Sequence, residues 1–118
     1  MKVSVVIPSF NEATYIGRLL EDLSEQDYKS FEVIVSDANS KDKTADVVKS
    51  YSDKLDMKLV SSPPKGPANG RNLGAKKAKG EWLLFLDADV EIDDPKFIDT
   101  LVKKAEENNW QSASAKID

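Results

Sequence analysis

Apolar residues along the chain alternate between short β-branched runs and longer stretches with helical spacing. Val3-Ser4-Val5-Val6-Ile7, closed by Pro8, predicts a buried strand. The loop Ser9-Phe10-Asn11-Glu12 follows, and then Ile16, Leu19, Leu20 and Leu23 at i, i+3, i+4, i+7 spacing predict an amphipathic helix with Asn11 as its N-cap. Phe31 to Val35 is a second strand that runs into Ser36-Asp37, and the small polar segment 38–43 is a loop. Thr44, Val48, Tyr51 and Leu55 mark one face of a second helix, and Met57 to Val60 is a short third strand. Ser61 to Gly70 holds Pro63, Pro64, Pro67, Gly66 and Gly70 and predicts a loop. A helix is expected from Arg71 to Lys79, with Gly80 just past its end. Trp82 to Leu86 is apolar on both faces, as a central strand is, and Asp87-Ala88-Asp89 follows at once. Asp94 caps a helix with Pro95 in its first turn and Phe97, Ile98, Leu101, Val102 and Ala105 on its inner face. Trp110 to Ile117 is expected as a last strand.

This alternation of strand and helix predicts an α/β fold, a Rossmann-like, mostly parallel sheet with flanking helices. Ligands of such sheets bind beyond the carboxyl ends of the strands. Three of those ends are polar here: Pro8 to Glu12, Ser36-Asp37, and Asp87-Ala88-Asp89. Parallel topology places all three on one edge, which is the main functional clue.

Composition narrows the chemistry. With 118 residues, 40% apolar and 32% charged, residues 1–118 make one soluble domain. The chain has no cysteine and no histidine, which excludes thiolate chemistry, disulfides and imidazole-based catalysis or zinc binding. Catalysis must rest on carboxylates, hydroxyls, lysine, arginine or an oxygen-held metal. The net charge of −4 argues against nucleic acid as a partner. The longest purely apolar run is Trp82 to Leu86, so no transmembrane helix is expected, and the N-terminal apolar run stops at Pro8. The expected compartment is the cytoplasm.

On an extended chain Asp87 and Asp89 lean the same way, and small Ala88 between them lets a ligand approach the backbone. Such a pair can hold Mg²⁺ or Mn²⁺ when the ligand supplies phosphate oxygens; the competing reading is a solvated turn. Asp37 is either an Asx-turn residue or an acceptor for a ribose or base. Phe10 is either a stacking surface with Glu12 beside it or a hydrophobic staple on the first helix. Arg71 can clamp a phosphate, whereas Lys65, Lys76 and Lys77 read better as solvated positions. Neither G-x-x-x-x-G-K-[ST] nor G-x-G-x-x-G is present, which removes the usual warrant for nucleotide hydrolases and dinucleotide dehydrogenases.

Four blocks resemble the N-terminal half of an inverting family 2 glycosyltransferase with the A-type nucleotide-diphospho-sugar transferase fold. V-S-V-V-I-P-S-F-N-E (3–12) is similar to the opening strand and P-[ST]-[YF]-N-E loop of that family, and F-E-V-I-V-S-D-A-N-S-K-D-K-T (31–44) to its D-G-G-S-x-D-x-T block. G-R-N-L-G-A-K-K-A-K-G (70–80) resembles A-R-N-x-G…A-x-G, and E-W-L-L-F-L-D-A-D-V (81–90) the D-x-D strand. The resemblance implies that Phe10 stacks on the base within a nucleotide pocket that includes Pro8 and Glu12. It implies Asp37 as acceptor for base or ribose, Arg71 near the phosphates, Asp87 facing ribose or metal beside Ala88, and Asp89 as ligand of the metal that bridges the diphosphate. The implied reaction is metal-dependent inverting transfer of a sugar from a nucleotide-diphosphate donor to an acceptor hydroxyl, with Mn²⁺ or Mg²⁺ as cofactor.

Ala38, Asn39 and Lys41 depart from the usual residues of the second block. The family's catalytic base and acceptor surface lie well beyond the D-x-D, so the acceptor half is expected to be absent from residues 1–118, and neither Glu106 nor Glu107 matches the base. A nucleotide-sugar-binding module without activity of its own is therefore the alternative, and a phosphoacceptor receiver-like domain ranks below both. The resemblance allows a lipid-linked or polysaccharide acceptor and hence a membrane-adjacent role. An uncovered sheet edge makes a second copy of the chain an expected partner.

Overall fold

A computed structural model describes residues 2–108 and 114–117. Its elements run β1 (Val3–Ser9), α1 (Ala13–Ser24), β2 (Phe31–Asp37), α2 (Thr44–Lys49), β3 (Met57–Ser61), α3 (Pro67–Lys77), β4 (Trp82–Leu86), α4 (Phe97–Glu107) and β5 (Ser114–Ile117). All neighbouring strands pair in parallel, in the order β3-β2-β1-β4-β5, as the alternating pattern predicts. Of the expected last strand, residues 110–113 lie outside the described residues.

The register explains the core. Val3, Val5 and Ile7 pair with Phe31, Val33 and Val35 of β2, and Val3 and Val5 with Trp82 and Leu84 of β4. Alternate residues share a face, so these rows form one apolar floor. Ile16, Leu19, Leu20 and Leu23 of α1, Val48 of α2, and Ile98, Val102 and Ala105 of α4 pack into the same core.

The other face of β1 carries Ser4, Val6 and Pro8 and is covered differently. A Cβ on Gly70 would lie 3.2 Å from Pro8 Cβ, one on Gly74 would overlap Val6 Cγ1, and one on Gly80 would lie 2.6 Å from Ser4 Oγ. These contacts run down β1 in reverse, so α3 lies antiparallel to the strand and close against it. Close approach is what glycine permits. Ser4 Oγ donates to Glu32 Oε2 at 2.6 Å and accepts from Gly80 N–H at 2.8 Å, while Lys79 N–H donates to the same Glu32 oxygen at 2.7 Å. Lys58 Nζ stands 3.8 Å from the other oxygen of this buried carboxylate. A buried carboxylate needs such partners.

Four local expectations are corrected. The second helix, expected to carry Thr44, Val48, Tyr51 and Leu55 on one face, ends at Lys49, and Tyr51 and Leu55 lie in the turn and bend that follow it. Asn11 is not the N-cap of α1; Glu12 occupies that position and makes no side-chain cap bond. The helix expected over 71–79 begins earlier and ends earlier, at Pro67–Lys77, with Gly66 before it at φ +98° and Pro67 in its first turn, so the last four residues of the predicted loop are helix. Ala78 leaves it in an extended conformation, and Gly80 serves close packing on Ser4 rather than helix termination. Asp94 does not cap α4 directly: its carboxylate accepts Lys96 N–H at 2.9 Å, a turn that precedes a helix starting at Phe97.

Two predictions follow from the glycine face of β1. Gly74→Ala should cost on the order of 1–3 kcal/mol through overpacking, and Val6→Ala in the same chain should recover part of it; equal losses in single and double variants, read by denaturant unfolding, would contradict the proposed contact. Burial raises the Glu32 carboxyl, but the hydrogen bonds from Ser4 and Lys79 and the charges of Lys58 and Lys2 outweigh it and hold the group below its ordinary 4.5. A lowered folded-state value gives stability that is present above pH 4.5 and lost as pH falls below it. Glu32→Gln should therefore lower stability by about 2 kcal/mol at neutral pH, with a gap in Tm that narrows on acidification; a pH-independent gap is the contrary outcome.

Candidate functional site

Ser9 pairs with Asp37 and Asp37 with Ser61, so the carboxyl ends of β1, β2 and β3 stand side by side. The antiparallel run of α3 along β1 brings its N-terminal end to the same edge, and β4 delivers Asp87-Ala88-Asp89 there. The ends enclose a cavity of about 550 Å³. Pro8, Phe10, Glu12, Arg71, Asp87, Ala88 and Asp89 all line it.

Two loops hold one wall by interlocking. Asn11, at φ +53°, donates its N–H to Ser40 Oγ at 2.8 Å, and its side-chain oxygen accepts Lys41 N–H at 2.9 Å. Glu12 N–H donates to Thr44 Oγ1 at 2.9 Å and Ala13 N–H to Asp42 Oδ2 at 3.2 Å. Thr44 Oγ1 donates in turn to Asp42. The unpaired N–H groups at the start of α1 are thus capped by the β2–α2 loop, about thirty residues away, and Asn11 is left free to tie that loop down. Asn39, where glycine is usual, takes φ +56°, the left-handed region that asparagine tolerates best after glycine.

Phe10 is 51% exposed and lines the cavity, which excludes the staple reading for it. Asp37 is buried and is not among the lining residues. Its Oδ1 accepts Ser9 Oγ at 2.8 Å and Ser40 Oγ at 2.5 Å, and its Oδ2 accepts Ser40 N–H at 2.9 Å. A carboxylate offers about four acceptor positions, so one remains, on Oδ2. Arg71 donates from Nη2 to Asp87 Oδ1 at 3.1 Å across the cavity wall. Glu12 faces both aspartates of the D-x-D pair: burial first, then the charges of Asp89, Asp42 and Asp87, raises its carboxyl above the ordinary 4.5. Like-charge repulsion of this kind on Glu12 is relieved by a cation. Among the described residues no three acidic side chains come together tightly enough to hold an ion unaided. Two hard oxygen donors on a shared cavity do suit Mg²⁺ or Mn²⁺ whose remaining positions come from a ligand.

Sequence reasoning placed Ser36 on the ligand edge without giving it a role, and missed other lining residues: Ala38, Ser62, Pro64 and Gly66. The polar end of β3, Ser61-Ser62, carried the same signal as the three ends singled out above and was the means of finding Ser62.

A parallel α/β sheet with a mixed aromatic and acidic cavity beyond its strand ends is the architecture of a Rossmann-like ligand-binding domain. Comparison with known proteins narrows it: residues 4–118 match the profile of Glycosyl transferase family 2, and the chain belongs to that family. Poly(ribitol-phosphate) beta-N-acetylglucosaminyltransferase TarS of Staphylococcus aureus is 41% identical over 97 residues, covering 79% of this chain and 17% of that protein. The crystal structure of S. aureus TarS in complex with UDP-GlcNAc superposes with a TM-score of 0.86 at 35% identity, over 92% of this chain and 32% of that one. Mannosyltransferase PcManGT from Pyrobaculum calidifontis, in complex with GDP-Man and Mn²⁺, superposes with a TM-score of 0.83 at 31% identity, over 88% and 32%. The A-type nucleotide-sugar transferase architecture expected from the sequence is therefore the fold of this chain, which spans a third or less of these proteins' lengths.

Thr44 carries the long-range cap. Thr44→Val keeps the shape but strands Glu12 N–H and should lower stability by about 1–2 kcal/mol, while Thr44→Ser should stay within about 0.5 kcal/mol of the parent; similar losses for both variants in urea unfolding would dismiss the capping role.

Proposed function

We propose that residues 1–118 form the donor-binding domain of a glycosyltransferase that moves a sugar from a nucleotide-diphosphate donor to an acceptor hydroxyl with inversion. The single observation behind this reading is the meeting of Phe10, the Arg71–Asp87 pair and Asp89 on one cavity. Phe10 stacks on the base, with Pro8 and Glu12 completing the pocket wall. Asp37 offers its remaining Oδ2 position to a ribose or base. Arg71 balances phosphate charge and holds Asp87 in place. Asp87 and Asp89 are the residues that would hold Mn²⁺ or Mg²⁺, and small Ala88 leaves the backbone between them open to the donor. The ion, when bound, neutralises the diphosphate and the charge that builds on the leaving nucleotide.

Inversion requires a base that takes the acceptor hydroxyl proton as the sugar–phosphate bond breaks. The carboxylates that line the cavity, Glu12, Asp87 and Asp89, all have donor-side roles in this reading. That favours a second reading, a domain that binds the donor and leaves the proton transfer to residues outside 1–118. The acceptor in the first reading is lipid-linked or a polysaccharide. Among the described residues no helix is long and apolar enough to cross a membrane.

Calorimetric titration with UDP and GDP, with and without Mn²⁺, tests the donor role. The parent should bind one of them more tightly with Mn²⁺, and Asp89→Ala should weaken that binding about tenfold or more, an interaction of charged groups being lost, with Tm preserved. Undiminished Mn²⁺-dependent binding by Asp89→Ala would remove the assignment. Sugar transfer by the isolated 118-residue chain would reject the binding-only reading.

A further inference from the structure

Among the described residues, three buried side-chain polar atoms lack any hydrogen-bond partner: Ser36 Oγ, Ser62 Oγ and Arg71 Nε. All three residues line the one cavity described above. Ser36 and Ser62 are almost wholly buried, at 1% and 2% exposure, and a buried hydroxyl without a partner carries a standing cost. Such groups in a cavity wall call for a ligand.

The sheet order fixes which part of the ligand. Ser62 follows β3, Ser36 lies near the end of β2, Phe10 follows β1, and Asp87 and Asp89 follow β4, with the strands in the order β3-β2-β1-β4. Three inter-strand steps span about 14 Å. The charged groups Arg71, Asp87 and Asp89 gather at the β4 side, where a diphosphate and its cation belong. The β2–β3 side offers two hydroxyls, and at the end of β2 the Asp37 carboxylate already bonded to Ser9 and Ser40, on a cavity that the exposed Phe10 ring also lines, which suits an uncharged, flat, hydrogen-bonding group. A serine needs only a χ1 step to present its hydroxyl to whatever fills the cavity.

We propose that the hydroxyls of Ser36 and Ser62 read the nucleobase edge of the donor, with the base stacked on Phe10 and the diphosphate directed toward β4. The assignment rests on the donor-binding reading given above. Each hydroxyl can donate to a ring carbonyl or accept from a ring N–H, so the two add neutral hydrogen bonds to whatever the Asp37 carboxylate at the end of β2 contributes.

Ser36→Ala and Ser62→Ala test it, with UDP, GDP and inorganic pyrophosphate as probes, each with Mn²⁺. Each variant should lose about five- to tenfold in affinity for the nucleotide that the parent prefers, one hydrogen bond being removed, while pyrophosphate binding stays unchanged. The ligand-free Tm should not fall, because no partner is abandoned in the free protein. Unchanged nucleotide affinity, an equal loss for pyrophosphate, or a lowered ligand-free Tm would each overturn the assignment to the base edge. Failure of the unsubstituted chain to bind either nucleotide overturns the donor reading itself, and that is seen before any serine is replaced.

Discussion

The pairing of β1 with both β2 and β4 is the constraint on which the rest of this structure depends. Because β1 lies between them in parallel register, the loops that leave all three strands exit at one edge. Slipping that register by one residue would turn Val3, Val5 and Ile7 out of the core and Ser4 into it. Burial of the apolar rows therefore locks the positions of Phe10, Asp37 and Asp87 without any direct contact among them. The chemistry of the edge is a by-product of how the floor beneath it packs.

The two faces of the sheet do different work. One is thick and apolar, built from α1, α2 and α4, and supplies the core. The other is covered over β1 by α3, which comes close because Gly70 and Gly74 carry no side chain. This approach brings Gly66, Gly70 and Arg71 to the cavity. It also brings Lys79 and Gly80 onto Ser4 and Glu32, so the polar network at one end of α3 anchors the segment whose other end shapes the site. Electrostatics at the edge then divides along the strand order: Arg71 offsets Asp87, Glu12 is left in the field of Asp89, Asp42 and Asp87, and Asp37 at the end of β2 is held by hydrogen bonds from Ser9 and Ser40.

Strands, the amphipathic helices α1 and α4, and the acidic end of β4 were legible in the sequence, because period-2 and period-3.6 patterns are local properties. Asp87, Asp89, Phe10, Glu12 and Arg71 were legible as candidates once parallel topology was inferred, since strand ends then share an edge. The start of α3 was not, because Pro67-Ala68-Asn69-Gly70 has no apolar stripe and two helix-disfavouring residues; its helical state is set by packing on β1. The cap of α1 was not legible either: Asn11 has the right chemistry at the right place, yet Thr44 and Asp42 take the role from far along the chain.

The linear order of residues thus determined the class of fold, the edge where ligands bind and the acidic pair at the end of β4. Tertiary structure alone decided that Asp37 spends most of its acceptor capacity on Ser9 and Ser40, that Asp87 leans on Arg71, and that Ser36 and Ser62 sit buried beside the cavity with nothing to bond. The physical reason is that hydrogen-bond satisfaction is a property of what surrounds an atom in space, and a serine or aspartate reads the same in sequence whether its partners are present or missing.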